Sequence, residues 1–336
     1  DITDPANPKG LWEFTNSTDG DLGYTLGNAL ITKRNADGKW VVAFASGYNN
    51  TNGGSTAKAR LFVVDALTGT KLTGGAGEIE ATEETSDPNA TGIARITGYV
   101  AAARSNNTTQ YVYGGSLSGS LFRFDLDGGT AQRLGKTDST AGNRPITARP
   151  EVATVKDQSG SSHRVVYVAT GRYLGSTDLA TTSTSSTVRQ GIFAVKDTGS
   201  DLGALNSAGA SLVEQTIDTS TSPSRIPNPQ PVDWSSKNGW YVRLPLDERV
   251  TVDPRLQLGT LVLLSNTPRD DYCYTGGTST QYALAYRDGT ALSSQTQKNV
   301  GTAIGSSLAS GLNVIKLPNG KIVSIITQAD TTLSAA

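Results

Sequence analysis

Apolar residues along this chain recur with a period of two in short runs, and each run breaks on glycine and serine. In QYVYGGSLSGSLFRFDL, Gln110 to Leu126, the alternation Tyr111-Val112-Tyr113 resumes as Leu121-Phe122-Arg123-Phe124 after Gly114, Gly115 and Gly119. Period-two alternation marks strands, and the glycines supply turn backbone that larger residues resist. The stretch reads as a β-hairpin, and it recurs. Val41 to Gly47 is followed by Leu61 to Asp65 and Gly69, and Val165 to Gly171 by Gly191 to Val195, Asp197 and Gly199. Leu261 to Leu264 is followed by Tyr282 to Tyr286 and Asp288-Gly289. An upstream strand often precedes each pair (Tyr24 to Lys33, Ile146 to Val155), and a short fourth one follows, as at Thr70 to Leu72. Repeated four-stranded antiparallel units predict an all-β chain, a β-propeller of irregular four-stranded blades with long inserted loops. About five blade units are visible, the partial ones included.

The alternation also predicts faces. Leu61, Val63, Leu121, Ile192 and Ala194 should pack between neighbouring blades, with Phe62, Phe122 and Phe193 on the opposite side of their own blades. Leu11 to Phe14, behind a proline-containing turn, matches the short strand at Thr70 to Leu72 and is predicted to be an outer fourth strand whose inner partners lie upstream. Leu312 to Leu317 and Lys321 to Thr327 read as the first two strands of a blade with no third. The alternative is direct closure, with Trp12 pairing beside Ile322 to Ile326. Among the insertions, Glu78 to Asp87 (EIEATEETSD) is expected to be a solvated acidic loop, Ser176 to Thr187 a low-complexity one, and proline-rich Ser222 to Asp233 an extended surface crossing. A short helix is expected between Ser200 and Thr216. No domain boundary stands out, so residues 1–336 read as one domain.

Composition narrows the function more than it names one. The chain has 336 residues, 37 of them glycine, and a net charge of −1, which gives no electrostatic footprint for nucleic acid or an anionic membrane. No apolar run is long enough to span a bilayer, and none resembles a signal peptide. The first residue is Asp1 and methionine is absent, so the chain reads as a piece of a longer one. The single cysteine, Cys273, reads as a free thiol or as the partner of a segment outside this sequence.

The single histidine, His163, sits at the entrance to a strand and makes a poor general base for a triad. Histidine- and cysteine-built metal sites fail on count, leaving oxygen-ligand sites. There is no P-loop and no dinucleotide fingerprint, and no carboxylate pair is singled out among the 30 acids. The hairpins are similar to quinoprotein dehydrogenase blades, yet the vicinal cysteines of many such enzymes are missing. A non-enzymatic propeller is the expectation, with no cofactor; the alternatives are a quinoprotein-like or glycan-active propeller enzyme, or a purely structural propeller. Tyr48, Arg172 and Tyr173, which follow equivalent strands at Gly47 and Gly171, are candidate contact residues, since tyrosine and arginine are enriched at binding hot spots. Equally, the tyrosines could simply cover blade ends.

Read in order, several stretches resemble the C-terminal propeller domain of the PilY/PilC family of type IV pilus biogenesis factors and tip adhesins. They are LWEFT at Leu11, DLGYTLGNALI at Asp21, GKWVVAFASGYNNTNG at Gly38, YVYGGSLSGSLFRFDL at Tyr111 and RPITARPEV at Arg144. VATGRYLGSTDL at Val168, GWYVRLP at Gly239, ERVTVDPRL at Glu248 and GGTSTQYALAY at Gly276 continue the series. The resemblance implies a ring of about seven blades joined to a variable N-terminal region, in a protein exported by a Gram-negative bacterium to the cell surface. It also implies minor pilins of the pilus tip and host-cell or abiotic surfaces as partners, with roles in pilus extension, adhesion and twitching motility. Family members often carry an Asp-x-Asp-x-Asp-Gly-x-x-Asp calcium loop before the YVY strand. Here Ala102, Arg104, Asn106 and Gln110 stand at the four aspartate positions, so calcium is not expected at this loop.

Overall fold

The structure, a computed structural model, describes residues 1–50, 58–83, 91–138, 144–179, 188–269, 276–292 and 298–335. Cys273 lies outside these residues. By its internal contacts the chain divides into two units, Asp1–Arg133 and Leu134–Ala336. Among the described residues no helix is long and apolar enough to cross a membrane.

The first unit holds two sheets. β1 (Leu30–Arg34), β2 (Trp40–Ala45), β3 (Ala59–Asp65) and β4 (Glu78–Ala81) form an antiparallel meander. β5 (Ile93–Tyr99) opens the second sheet, while β6 (Thr108–Thr109) returns to lie parallel to β1. β7 (Tyr111–Ser116), β8 (Ser120–Asp125) and β9 (Thr130–Lys136) complete the order β5-β7-β8-β9, and the end of β9 runs into the second unit. Val41, Ala43, Leu61, Val63 and Ile79 from the first sheet share one apolar cluster with Ile93, Val112, Phe122 and Phe124 from the second. One face of the first sheet thus packs on a face of the second.

The second unit repeats this arrangement. β10 (Glu151–Lys156), β11 (Ser162–Ala169), β12 (Gly191–Lys196), β13 (Leu212–Gln215) and β15 (Gly239–Arg243) form one sheet, with β13 parallel to β15. β14 (Ser224–Arg225), β16 (Arg255–Gln257), β17 (Thr260–Pro268), β18 (Gly277–Ala285) and β19 (Asn299–Gly305) form another. The last is β20 (Ala309–Lys316), β21 (Ile322–Gln328) and β22 (Leu333–Ala335). Ile192, Ala194, Trp240 and Val242 cluster with Leu261, Leu263, Tyr282 and Leu284. Val262 and Leu264, on the other face of β17, cluster with Leu312 and Ile326. The expected face assignment therefore holds: Phe122 meets Leu61 and Val63 from across the gap, and Phe193 stacks on Tyr241 with ring centroids 5.8 Å apart.

Several expectations need correction. The sheets have five, four or three strands rather than a uniform four. Glu78–Ala81 is a strand, not solvated loop, because EIEA alternates: Ile79 and Ala81 are buried while Glu78 and Glu80 meet Arg60, Lys71 and Lys58. No α-helix lies between Ser200 and Thr216. Ala208–Ala210 makes one 3₁₀ turn, Ser211 turns left-handed (φ 58°), and β13 follows. β21 does have a third strand, β22, and with β20 on its other side both its edges are taken. Leu11 to Phe14 pairs with no strand among the described residues.

Candidate functional site

Tyr48 is not the exposed contact residue it was expected to be. It is 7% exposed, packs with Ala94 and Leu117, and exchanges backbone hydrogen bonds with Tyr24 at 2.7 and 3.1 Å. The tyrosine closes the end of the first sheet. Gly47 makes this possible: its φ is 77°, and a Cβ there would collide with the Tyr24 carbonyl.

Arg172 and Tyr173 stand on a loop that is held at several points. Arg172 Nε donates to Asp178 Oδ1 at 2.7 Å, and the Leu174 amide donates to Asp178 Oδ2 at 2.8 Å. Arg249 reaches over from the segment before β16 and donates to the carbonyl oxygens of Arg172, at 3.2 Å, and Asp178. Burial lowers the Arg249 pKa, and this guanidinium acts as an internal brace. What the braced loop turns outward is Tyr173, 40% exposed, and Leu174, 52% exposed. Sequence reasoning found Arg172 and Tyr173 but missed Asp178 and Arg249, which lie 6 and 77 residues from Arg172 and carry no local signal.

Beside Arg249, Glu248 points inward. Its Oε2 accepts from Ser265 Oγ at 2.6 Å and from the Tyr282 hydroxyl at 2.9 Å. Burial holds this carboxyl above its ordinary range, against the two hydrogen bonds.

The 102–110 loop is latched by neutral groups. The Ala102 carbonyl accepts from the amides of Ser105, Asn106 and Asn107 at 3.0, 2.9 and 3.3 Å, and Asn107 turns left-handed (φ 54°). Asn35 Oδ1 accepts from Thr108 Oγ1 at 2.9 Å and from Asn106 Nδ2 at 3.5 Å, while Asn35 Nδ2 donates to Asp127 at 2.9 Å. The Gln110 carbonyl accepts from Leu126 at 2.8 Å, and Arg104 is exposed. This donor set does not fit a calcium ion. Asp127, the carboxylate that does approach, already accepts from Asn35 and from the Ala36 amide at 2.8 Å.

Asp19, Asp21 and Glu78 are close enough together to ligate a cation, but side-chain cations already occupy the cluster. Lys71 Nζ lies 2.5 Å from Asp19 and 2.8 Å from Glu78, and Arg60 lies 3.1 Å from Glu78 and 3.4 Å from Asp21. His163 Nε2 lies 3.0 Å from Asp157 Oδ2, and Ser159 Oγ donates to Asp157 Oδ1 at 2.7 Å. The hydroxyl is bound to the carboxylate, not to the imidazole, so these three form a turn rather than a nucleophile and its base.

Residues 1–138 match the family described as the PilY1 beta-propeller domain. A type IV pilus biogenesis factor PilY1 homolog of Xylella fastidiosa is 31% identical over 324 residues, covering 87% of this chain and 21% of that protein. The type IV pilus biogenesis factor PilY1 of Pseudomonas aeruginosa strain PAO1 is 27% identical over 330 residues, covering 84% of this chain and 27% of that protein. The chain thus spans about a fifth to a quarter of these relatives. The crystal structure of the Pseudomonas aeruginosa PilY1 C-terminal domain superposes with a TM-score of 0.74 at 23% identity, over 100% of this chain and 77% of that one. Fold and sequence agree: residues 1–138 match the PilY1 beta-propeller domain, and the chain as a whole is a β-propeller similar along most of its length to PilY1 proteins.

Proposed function

We propose that this domain is a non-enzymatic interaction module of a type IV pilus biogenesis factor, working outside the cell at the pilus. The observation that carries the reading is similarity to proteins named as such factors over 84% or more of the chain. Minor pilins of the pilus tip are the proposed protein partners, and adhesion to surfaces and twitching motility the proposed outcomes. The braced 171–179 loop supports a binding role, because Asp178 and Arg249 pre-order the backbone that presents Tyr173 and Leu174. Pre-ordering lowers the entropic cost of association.

The test compares two alleles in the parent bacterium. Deleting the domain should abolish surface pili in sheared preparations. Tyr173→Ala with Leu174→Ser should leave the domain folded and reduce adhesion at least fivefold. Unchanged piliation after domain deletion would refute the biogenesis role, and unchanged adhesion in the double variant would refute the loop assignment.

A further inference from the structure

Trp12 and Trp240 make the same contact on two different sheets. The Trp240 indole lies on Gly289 in the turn after β18, and its Nε1 donates to the Tyr286 carbonyl at 3.1 Å. The Trp12 indole lies on Gly69 in the turn after β3, and its Nε1 donates to the Ala66 carbonyl at 3.0 Å. Both glycines have positive φ, 72° and 68°, and both bond back four residues, to Ala285 and Asp65. Ladder register extends the equivalence. Thr260 pairs with Ala285 as Val41 pairs with Asp65, so Leu261, Leu263, Tyr282 and Leu284 correspond to Val42, Phe44, Phe62 and Val64.

Trp240 belongs to β15, which runs antiparallel to β12, with Ala194 opposite Trp240 and Ile192 opposite Val242. Those two β12 residues fill the space over Leu261, Leu263, Tyr282 and Leu284. Leu11 to Phe14 has the Trp240-to-Val242 pattern, and Phe14 packs on Phe44 and Phe62 with centroids 5.1 and 5.3 Å away. At the place of Ile192 and Ala194 there is instead a groove of about 230 Å³, lined by Trp12, Phe14, Val42 and Phe44 among others.

We propose that the edge at Leu11 to Phe14 and this groove receive one antiparallel β-strand of the same polypeptide, the counterpart of β12, from the part of the protein preceding Asp1. The solved domain of the Pseudomonas aeruginosa protein extends beyond the part that this chain matches, which is 77% of it. Register fixes the occupant's chemistry. A small residue lies opposite Trp12, an apolar one opposite Phe14, and both turn toward Val42 and Phe44. Backbone pairing supplies the affinity and these pockets the selection, as in other strand-addition sites.

Amide hydrogen exchange on residues 1–336 and on the full-length natural protein tests this. Amides of Leu11 to Phe14 should exchange at least a hundredfold more slowly in the full-length protein, while Gly239 to Val242 are protected alike in both. Equal rates at Leu11 to Phe14 would overturn the proposal. So would protection in residues 1–336 alone that grows with concentration, which would make a second copy the occupant.

Discussion

At the turn after β18, Trp240 is fully buried, with β12 paired along its strand and Tyr241 covered by Phe193. At the turn after β3, Trp12 makes the same stacking contact and the same hydrogen bond, yet it is half-buried, and Glu13, the neighbour that corresponds to Tyr241, is exposed. The difference shows what a latch of this kind requires. Glycine and carbonyl fix where the indole sits, but the strand behind it determines how much water is excluded and how much the contact contributes.

Substitution of the two indoles should separate them most. Trp240→Ala should cost about 3–5 kcal/mol, as expected of a fully buried aromatic. Trp12→Ala in residues 1–336 should cost only about 1–2 kcal/mol, because part of its surface already faces water. Chemical denaturation gives both values, and equal losses would break the comparison. Phe122→Ala, at the place equivalent to Phe62 and fully buried, belongs with the larger class, at about 3–5 kcal/mol.

The glycines come next. A Cβ on either would lie within 3.0 Å of indole atoms, and both backbones are left-handed. Gly289→Ala should cost about 2–4 kcal/mol, because the buried ring has nowhere to move. Gly69→Ala should cost about 1–2 kcal/mol, since Trp12 can swing into its groove. Thermal melts of the two variants side by side check the order.

Tyr282 and Phe62 sharpen the comparison from another side. The Tyr282 hydroxyl satisfies Glu248, whereas Phe62 has no hydroxyl at the equivalent place. Tyr282→Phe should cost about 1–2 kcal/mol by leaving Glu248 with one donor fewer. The double variant Tyr282→Phe with Glu248→Gln should recover part of that loss in the same denaturation experiment.

The smallest effect is in pH. Burial raises the Glu248 pKa above its unfolded value of about 4.3, so the folded state binds the extra proton. Its contribution is fully present below that value and is lost as pH rises through the folded pKa. Asp157 behaves oppositely. Hydrogen bonds from Ser159 and His163 hold it down to about 2, so its contribution is present above about 3.9 and lost as pH falls toward 2. Stability profiles of Glu248→Gln and Asp157→Asn should lose slope on opposite sides of pH 4.

Strands, their faces and the Asp-to-Gly turns were legible because they are local signals, but Gly114 and Gly115, expected in a turn, are paired in β7 with Phe122 and Leu121, and only Gly119 turns the chain. EIEA was misread because charge density was given more weight than alternation, and the alternation is what pairs Ile79 with the core. The 200–216 region misled for a different reason: a few apolar residues at helical spacing do not outweigh Gly203 and Gly209, nor the left-handed turn at Ser211. Arg172 and Tyr173 were visible as residue types, but the ties that hold their loop come from Asp178 and from Arg249, and only folding brings the latter near. Tyr48 followed an equivalent strand end and still turned inward, because Gly47 bends the chain toward Tyr24 there.

The tryptophan latches also bear on the timing of assembly. Trp12 precedes its carbonyl partner by 54 residues and Trp240 by 46, so closing either loop has nearly the same entropic cost, within about 0.1–0.2 kcal/mol. During synthesis each indole must wait for its turn to emerge, roughly 2–11 seconds at about 5–20 residues per second. Trp240 can wait on a strand already paired with β12. Trp12 has no such support among the described residues, so the order in which its neighbours arrive decides whether the first latch closes promptly or is left searching.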